Sequence, residues 1–312
     1  MEIFGEKISK GKYRFVEVPV ARLPSGTLIH MPVHVFRAPK KGPVVLLSGG
    51  LHGDEVNGIE TIRRLVAGKW VQKLKQGTLI ALPIINVYGF IHFSRDVPDG
   101  KDVNRSFPGN PEGSLASIVA WHISNYLLPL IDFGIDFHTG GASRTNFPQI
   151  RYAKGDELGA EIAQAFRAPF SLQSGLITGS LRATARDLGK SIVVFEGGES
   201  LRLDELSINY GLRGIKQVLS HFDMIDSQKP KGRNILLGDS SWVRAEVSGM
   251  FVFRKTAGQK VKEGEILGNI HSPYGQYEHS IRAPFEGYII GHNNFPLVHK
   301  GDAVFHIGKA LL

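Results

Sequence analysis

From about Tyr13 to Val35, apolar and polar side chains alternate around Pro24-Ser25-Gly26, a pattern that predicts two antiparallel strands joined by a turn. From Pro43 onward, short β-branched runs over 43–48, 78–85, 131–137 and 191–196 alternate with helical patterns over 57–68, 113–128, 156–166, 178–189 and 203–220. This layout predicts an α/β fold, a mixed and mostly parallel sheet flanked by helices. Around Gln228-Lys229-Pro230-Lys231-Gly232-Arg233 the chain turns basic and gains Pro and Gly, and no helical pattern follows. A domain over 1–236, with residues 1–40 as its hairpin region, and an all-β domain over 237–312 are therefore expected. The second carries two similar half-units, Ala257–Ile270 and Pro296–Ile307, in each of which a Val shortly precedes a charged residue and Gly, and an apolar strand follows.

Composition narrows the chemistry. With 312 residues, 42% of them hydrophobic, the chain can bury a substantial core. The formal charge of +8 is spread over scattered Lys and Arg with no basic run, so anionic small molecules fit at least as well as nucleic acid, which is not expected as a partner. There is no Cys, so disulfides, thiolate nucleophiles and Cys-held metals are excluded, and any metal must be held by His, Asp and Glu. The first residues lack an apolar signal core and no stretch reaches the roughly 18 apolar residues of a membrane span, so a soluble, cytoplasmic protein without membrane partners is expected.

Gly50-Leu51-His52-Gly53-Asp54-Glu55 puts an imidazole and a carboxylate three residues apart, just after the apolar run that ends at Leu47. These are two donors for zinc, and a hydrolytic zinc site takes three protein ligands and leaves a position for water. A lone histidine is more often structural, and the chain has 12. His138 stands apart because it ends the strand pattern Asp132–Phe137 and opens into Thr139-Gly140-Gly141, which makes it the third candidate. His52 and Glu55, His138 and Glu196 each fall at or just past a predicted strand end, where open α/β sheets bind ligands. The polar loop Phe93–Gly109 carries Arg95 and Arg105, whose guanidinium groups suit a carboxylate or a developing anion.

These segments together resemble the zinc carboxypeptidase superfamily: His-x-x-Glu, then Asp-x-Asn-Arg at Asp102–Arg105, then a strand-end His, then Glu196 ending Ile192–Phe195. Gly50–Glu55, Asp102–Gly109, Phe195-Glu196-Gly197-Gly198 and the C-terminal β segment resemble its succinylglutamate desuccinylase and aspartoacylase branch. The resemblance implies a zinc-carboxypeptidase-like sheet and one zinc ion per chain on His52, Glu55 and His138, with Asp102 orienting His52. It implies that Glu196 is the general base, that Arg95 polarises the scissile carbonyl, and that Asn104 and Arg105 grip a substrate carboxylate. Arg186, ten residues before Glu196, matches a substrate-carboxylate arginine of aspartoacylases. Arg144, Arg151 and Arg182 are further candidates. The C-terminal segment resembles the barrel-sandwich hybrid of biotinyl and lipoyl domains, but no Lys lies between Lys262 and Lys300 for cofactor attachment.

The resemblance thus implies a zinc-dependent amidohydrolase acting on a small anionic N-acyl amino acid or a similar small acylated metabolite; relatives of this kind often associate, and the sequence leaves the oligomeric state open. A carboxypeptidase acting on short peptides is the nearest alternative. A non-catalytic sensor of an anionic metabolite is the alternative from another class. Loops 142–150, 171–182 and 272–280 are expected to shape the pocket.

Overall fold

Alternation at the start of the chain gives the expected hairpin. Lys12–Arg22 and Leu28–Arg37 pair antiparallel, with Val16 opposite Val33, Val18 opposite Met31, and all four side chains buried. The computed structural model describes residues 1–227, 229–230 and 232–311, and in it this hairpin forms one end of a twelve-stranded sheet. Gln228 and Lys231 of the expected inter-domain segment lie outside the described residues.

The centre of the sheet is four parallel strands in the order Gln76–Leu82, Lys40–Ser48, Phe133–Gly140, Ser191–Glu199. Their continuous apolar runs reflect cover on both faces. On one face Val45, Leu47, Phe133, Ile135 and Val193 share a core with Ile62, Phe166, Ile215 and Val218 of the helices Val56–Ala67, Glu157–Phe166 and Glu205–His221. On the other, Leu46, Ile80, Leu82 and Ile192 pack with Val119, Ile123, Leu181 and Ala185 of the helices Leu115–Tyr126 and Leu181–Asp187. The strand ends carrying the candidate site are thereby fixed by packing, and truncating a buried Leu or Ile here would cost about 2–5 kcal/mol.

Parallel pairing is confined to this centre and to two neighbouring contacts. Arg144–Ala153 runs antiparallel to Ser191–Glu199, Phe170–Ser174 runs parallel to Arg144–Ala153, and Ile235–Arg244 runs parallel to Phe170–Ser174. The segment expected as a loop at 142–150 is therefore mostly strand. Its Pro148 falls where the ladder to Ser191–Glu199 shifts register between Gln149–Glu196 and Asn146–Gly198, one of the few places a sheet tolerates proline.

The C-terminal strands have a core of their own, including Phe251, Leu267, Ile270, Ile289, Phe305 and Ile307, with no helix after His221 among the described residues. A second, four-stranded sheet holds Glu278–Arg282, Ile266–His271, Gly249–Phe253 and Leu297–Val298. Ala303–Ala310 and Gly287–Asn293 join the large sheet instead, and Gly287–Asn293 also pairs with the start of Arg144–Ala153. Backbone hydrogen bonds thus run without a break from the C-terminal strands to those beside the site. Among the described residues no helix is long and apolar enough to cross a membrane.

Candidate active site

The turn between Lys40–Ser48 and Val56–Ala67 has no room for a side chain at its tightest point. A Cβ on Gly53 would lie 1.9 Å from the carbonyl carbon of Gly89, so only glycine lets the turn pack on the short helix Val87–Ile91. This close approach places His52 and Glu55 side by side in the interior, 3% and 2% exposed. His138 arrives on Phe133–Gly140, in register with Glu196 on the adjacent parallel strand. The sheet alone therefore brings the third imidazole-or-carboxylate donor and the candidate base together.

Glu55 bridges the two imidazoles. Its Oε1 is 2.8 Å from His52 Nδ1, its Oε2 is 2.8 Å from His138 Nδ1, and the Thr139 backbone N–H donates to Oε2 at 3.0 Å. The far nitrogens are held as well: His52 Nε2 donates to Asp102 Oδ1 at 3.2 Å and His138 Nε2 donates to Asp136 Oδ2 at 2.7 Å. Asp136 is itself buried and accepts from Ser48 Oγ at 2.7 Å. Asp102 thus sits where the sequence expected it. Asp136 carried no expected role, although its place two residues before His138 puts both side chains on one face of the strand.

The donor atoms of His52, Glu55 and His138 all lie within 4.8 Å of one another, and each imidazole turns its outer nitrogen to a carboxylate. Two imidazoles and one carboxylate, oriented in this way, fit zinc. The electrostatics agree. Burial would push the His52 and His138 imidazoles down, but the carboxylates of Glu55 and Asp102 around one, and of Asp136 and Glu55 around the other, raise both. Burial would raise Glu55, but the two histidines outweigh it and hold the carboxyl well below its usual range. The place favours positive charge, and Arg95 Nη1 lies against it, 3.1 Å from His52 Nδ1 and 3.4 Å from Glu55 Oε1. Arg95 also donates to Asp102 Oδ2 at 2.8 Å, so one carboxylate orients both a candidate ligand and the candidate carbonyl-polarising group.

Glu196 faces the same cavity of about 540 Å3. Its Oε2 accepts from Asn146 Nδ2 at 2.7 Å, and Arg151 Nη1 is 3.8 Å from its Oε1. Arg105, Arg144, Arg151 and Arg182 line the cavity, so it is rich in fixed positive charge. Arg182 is half-buried: it donates to Ser174 Oγ at 2.9 Å, its Nε has no partner, and burial and then the neighbouring Arg151 lower its affinity for its proton. Asn104 also lines the cavity, but its Oδ1 already accepts from the Leu181 N–H at 3.0 Å, so only its Nδ2 can donate to a ligand.

Arg186 is not brought to the site. Its guanidinium donates to the Gly155 carbonyl at 2.8 Å and lies 3.5 Å from Asp156, away from the cavity. The packing of Leu181, Thr184 and Ala185 sets the rotation of this short helix and turns Arg182, not Arg186, inward. Of the expected pocket loops, the first two contribute, partly as strands, whereas 272–280 contributes nothing. Trp242, on Ile235–Arg244, supplies a wall that no sequence pattern pointed to; it stacks on His306 with ring centroids 4.5 Å apart.

Comparison with known proteins gives this chain relatives over most of its length. The family model of the succinylglutamate desuccinylase/aspartoacylase catalytic domain matches residues 41–222. The chain is 28% identical over 319 residues to N-alpha-acetyl-L-2,4-diaminobutyric acid deacetylase of Halomonas elongata, covering 96% of this chain and 92% of that protein. It resembles the crystal structure of a succinylglutamate desuccinylase/aspartoacylase from Rhodobacter sphaeroides with a TM-score of 0.86 and 27% identity over 100% of both chains. The product-bound ectoine utilization protein EutE (DoeB) from Ruegeria pomeroyi matches with a TM-score of 0.83 and 26% identity, over 96% of this chain and 94% of that one.

Proposed function

This chain belongs to the succinylglutamate desuccinylase/aspartoacylase family, and on that premise we propose that it is a zinc-dependent deacylase cleaving the amide bond of a small N-acyl amino acid. The observation that carries the reading is the meeting, in one cavity, of the His52, Glu55 and His138 donors with Glu196 and Arg95. A deacetylase of an acylated amino acid among its relatives supports the substrate class.

His52, Glu55 and His138 would hold the zinc, with Asp102 and Asp136 fixing the two imidazoles. Zinc supplies Lewis-acid polarisation of the scissile carbonyl and makes water acidic enough to be deprotonated near neutral pH. Glu196, held by Asn146, takes the proton of the attacking water and returns it to the leaving amine. Arg95 offers a fixed donor where negative charge develops on the carbonyl oxygen. Arg105 and Asn104 bind a substrate carboxylate at the cavity wall, and Arg182 takes the place expected of Arg186. We read 237–312 as a barrel-sandwich-like β domain that narrows the site entrance through Trp242 and admits small substrates.

The reading is tested by amine release from a panel of N-acetyl and N-succinyl amino acids, with and without chelator. Release that stops with chelator and returns with zinc supports it. Release indifferent to chelator, or none from any member of the panel by zinc-loaded protein, overturns it.

A further inference from the structure

Between Phe133–Gly140 and Arg144–Ala153 the chain reverses through Gly141, Ala142 and Ser143. Ala142 and Ser143 have φ of 52° and 57°, so two consecutive residues with a Cβ occupy the left-handed region that such residues avoid. The reversal lies against the reaction centre. Gly140, Gly141 and Ala142 line the cavity, and a Cβ on Gly141 would lie 3.8 Å from Arg95 Nη1 and 3.9 Å from Glu55 Oε1. Any relaxation of these residues would move cavity-lining backbone that lies within a side chain's reach of the arginine and the carboxylate.

The contacts that close the reversal come from the far end of the chain. Gly287–Asn293 pairs with its outgoing limb, Asn293 opposite Arg144 and His292 opposite Thr145. One residue on, the Asn294 N–H donates to the Ser143 carbonyl at 2.8 Å. The Asn294 side chain is half-buried, and its Nδ2 donates to Thr145 Oγ1 at 2.7 Å and to Glu199 Oε2 at 2.9 Å. Glu199 ends the strand that carries Glu196, and the next residue, Ser200, donates its N–H to the Gly140 carbonyl at 3.0 Å. The Asn294 backbone N–H therefore fastens the reversal, and its carboxamide ties Thr145, at the start of the outgoing strand, to the strand that bears the candidate base, without itself lining the cavity.

We propose that Asn294 is a positioning residue that holds the Gly141–Ser143 reversal in its left-handed form and thereby sets Arg95 against the His52, Glu55 and His138 centre. The inference rests on the deacylase reading for Arg95, whose displacement would act on the chemical step. The arginines assigned to substrate binding, Arg105 and Arg182, have no part in this clamp, so the loss falls on kcat and not on KM.

The test uses the full-length, zinc-loaded protein and whichever panel substrate it turns over. Asn294→Ala removes the carboxamide's bonds to Thr145 and Glu199 and leaves the backbone bond to Ser143, and Asn294→Asp keeps the shape but cannot donate and sets a carboxylate against Glu199. Both are expected to lower kcat tenfold or more with KM within threefold of the parent, and to speed hydrogen exchange of the peptide spanning 139–146. Adding Ser143→Gly to Asn294→Ala removes a Cβ that opposes the left-handed form and is expected to recover at least threefold in kcat. Unchanged kcat, a loss confined to KM, or no recovery with Ser143→Gly overturns the proposal. Should the parent protein turn over no panel substrate, the deacylase reading fails by itself, and hydrogen exchange then decides the clamp: unchanged exchange in Asn294→Ala overturns it.

Discussion

Replacing Asp136 by asparagine keeps the shape of the side chain and removes its charge. The carboxylate is 1% exposed, accepts from His138 Nε2 at 2.7 Å, and is fixed on its other oxygen by Ser48 Oγ, also at 2.7 Å. A hydrogen bond to a charged group contributes about 1.5–3 kcal/mol. At about 1.4 kcal/mol per decade, that is a factor of roughly 10–150, close to the 10–100-fold found when such partners of metal-bound histidines are changed. The carboxamide keeps one acceptor, so Asp136→Asn is expected to weaken zinc binding about tenfold. Asp136→Ala also strands the Ser48 hydroxyl and the His138 N–H, and is expected to approach 100-fold, with a further loss of about 1–3 kcal/mol in folding stability. Asp102 makes a longer bond to its histidine, 3.2 Å, is 16% exposed, and shares its charge with Arg95. Asp102→Asn should therefore cost less in zinc affinity and more in kcat. Zinc affinity is read by competition with a chromogenic chelator, and kcat/KM is measured at saturating zinc. Zinc binding within threefold of the parent in both Asp136 variants would refute the idea that this carboxylate orients a ligand.

Three other expectations follow from particular contacts. Arg182→Gln should raise KM by about 10–100-fold, the loss of a charged hydrogen bond to a carboxylate, while Arg186→Gln, whose partners lie outside the cavity, should stay within about twofold; equal effects would contradict the assignment. A Cβ on Gly291 would lie 2.6 Å from Asn146 Oδ1 and 2.9 Å from the Thr145 carbonyl, so Gly291→Ala should dislodge the partner of Glu196 and lower kcat about tenfold, as a small misplacement of a catalytic group does; unchanged kcat would refute it. Burial, and then Arg151, push His306 down to about 3 from an ordinary 6.5, so the unfolded chain binds the extra proton between these values. Stability from this group is complete above pH 6.5 and is lost by up to a few kcal/mol as pH falls toward 3; denaturant titrations of His306→Gln should show a shallower acid loss than the parent.

The segments that announce themselves in sequence are those whose reason is local. The alternating hairpin, the apolar central strands and the amphipathic helices all form where their patterns put them, within a few residues. His52 and Glu55 were legible because a tight glycine turn binds them to one strand end, and His138 and Glu196 because each ends an apolar run. What escaped depends on distant partners. Phe170–Ser174 and Arg144–Ala153 pair with each other and find their outer partners in Ile235–Arg244 and Ser191–Glu199, with Gly287–Asn293 added at residues 144–146, and no local pattern encodes that pairing. Asp136 reads like a polar interruption of a strand until Ser48 and His138 flank it. Arg186 fits by counting along the chain, but in a helix of seven residues the packing of Leu181 and Ala185, not the count, decides which arginine turns inward. Trp242 and Asn294 bear on the site only because the C-terminal strands fold back onto the large sheet. For the same reason, cutting the chain at 237 would strip strand partners from the sheet beside Glu196 as well as remove the proposed cover.

The proposed deacylase needs one zinc ion on His52, Glu55 and His138. Metal content by mass spectrometry, on the purified protein beside His138→Ala, tests it most directly. About one zinc per chain is expected in the parent, as a site with three protein ligands holds, and close to none in a folded His138→Ala. Equal zinc in the two proteins, or a parent that takes up no zinc when supplied with it, would overturn this ligand assignment.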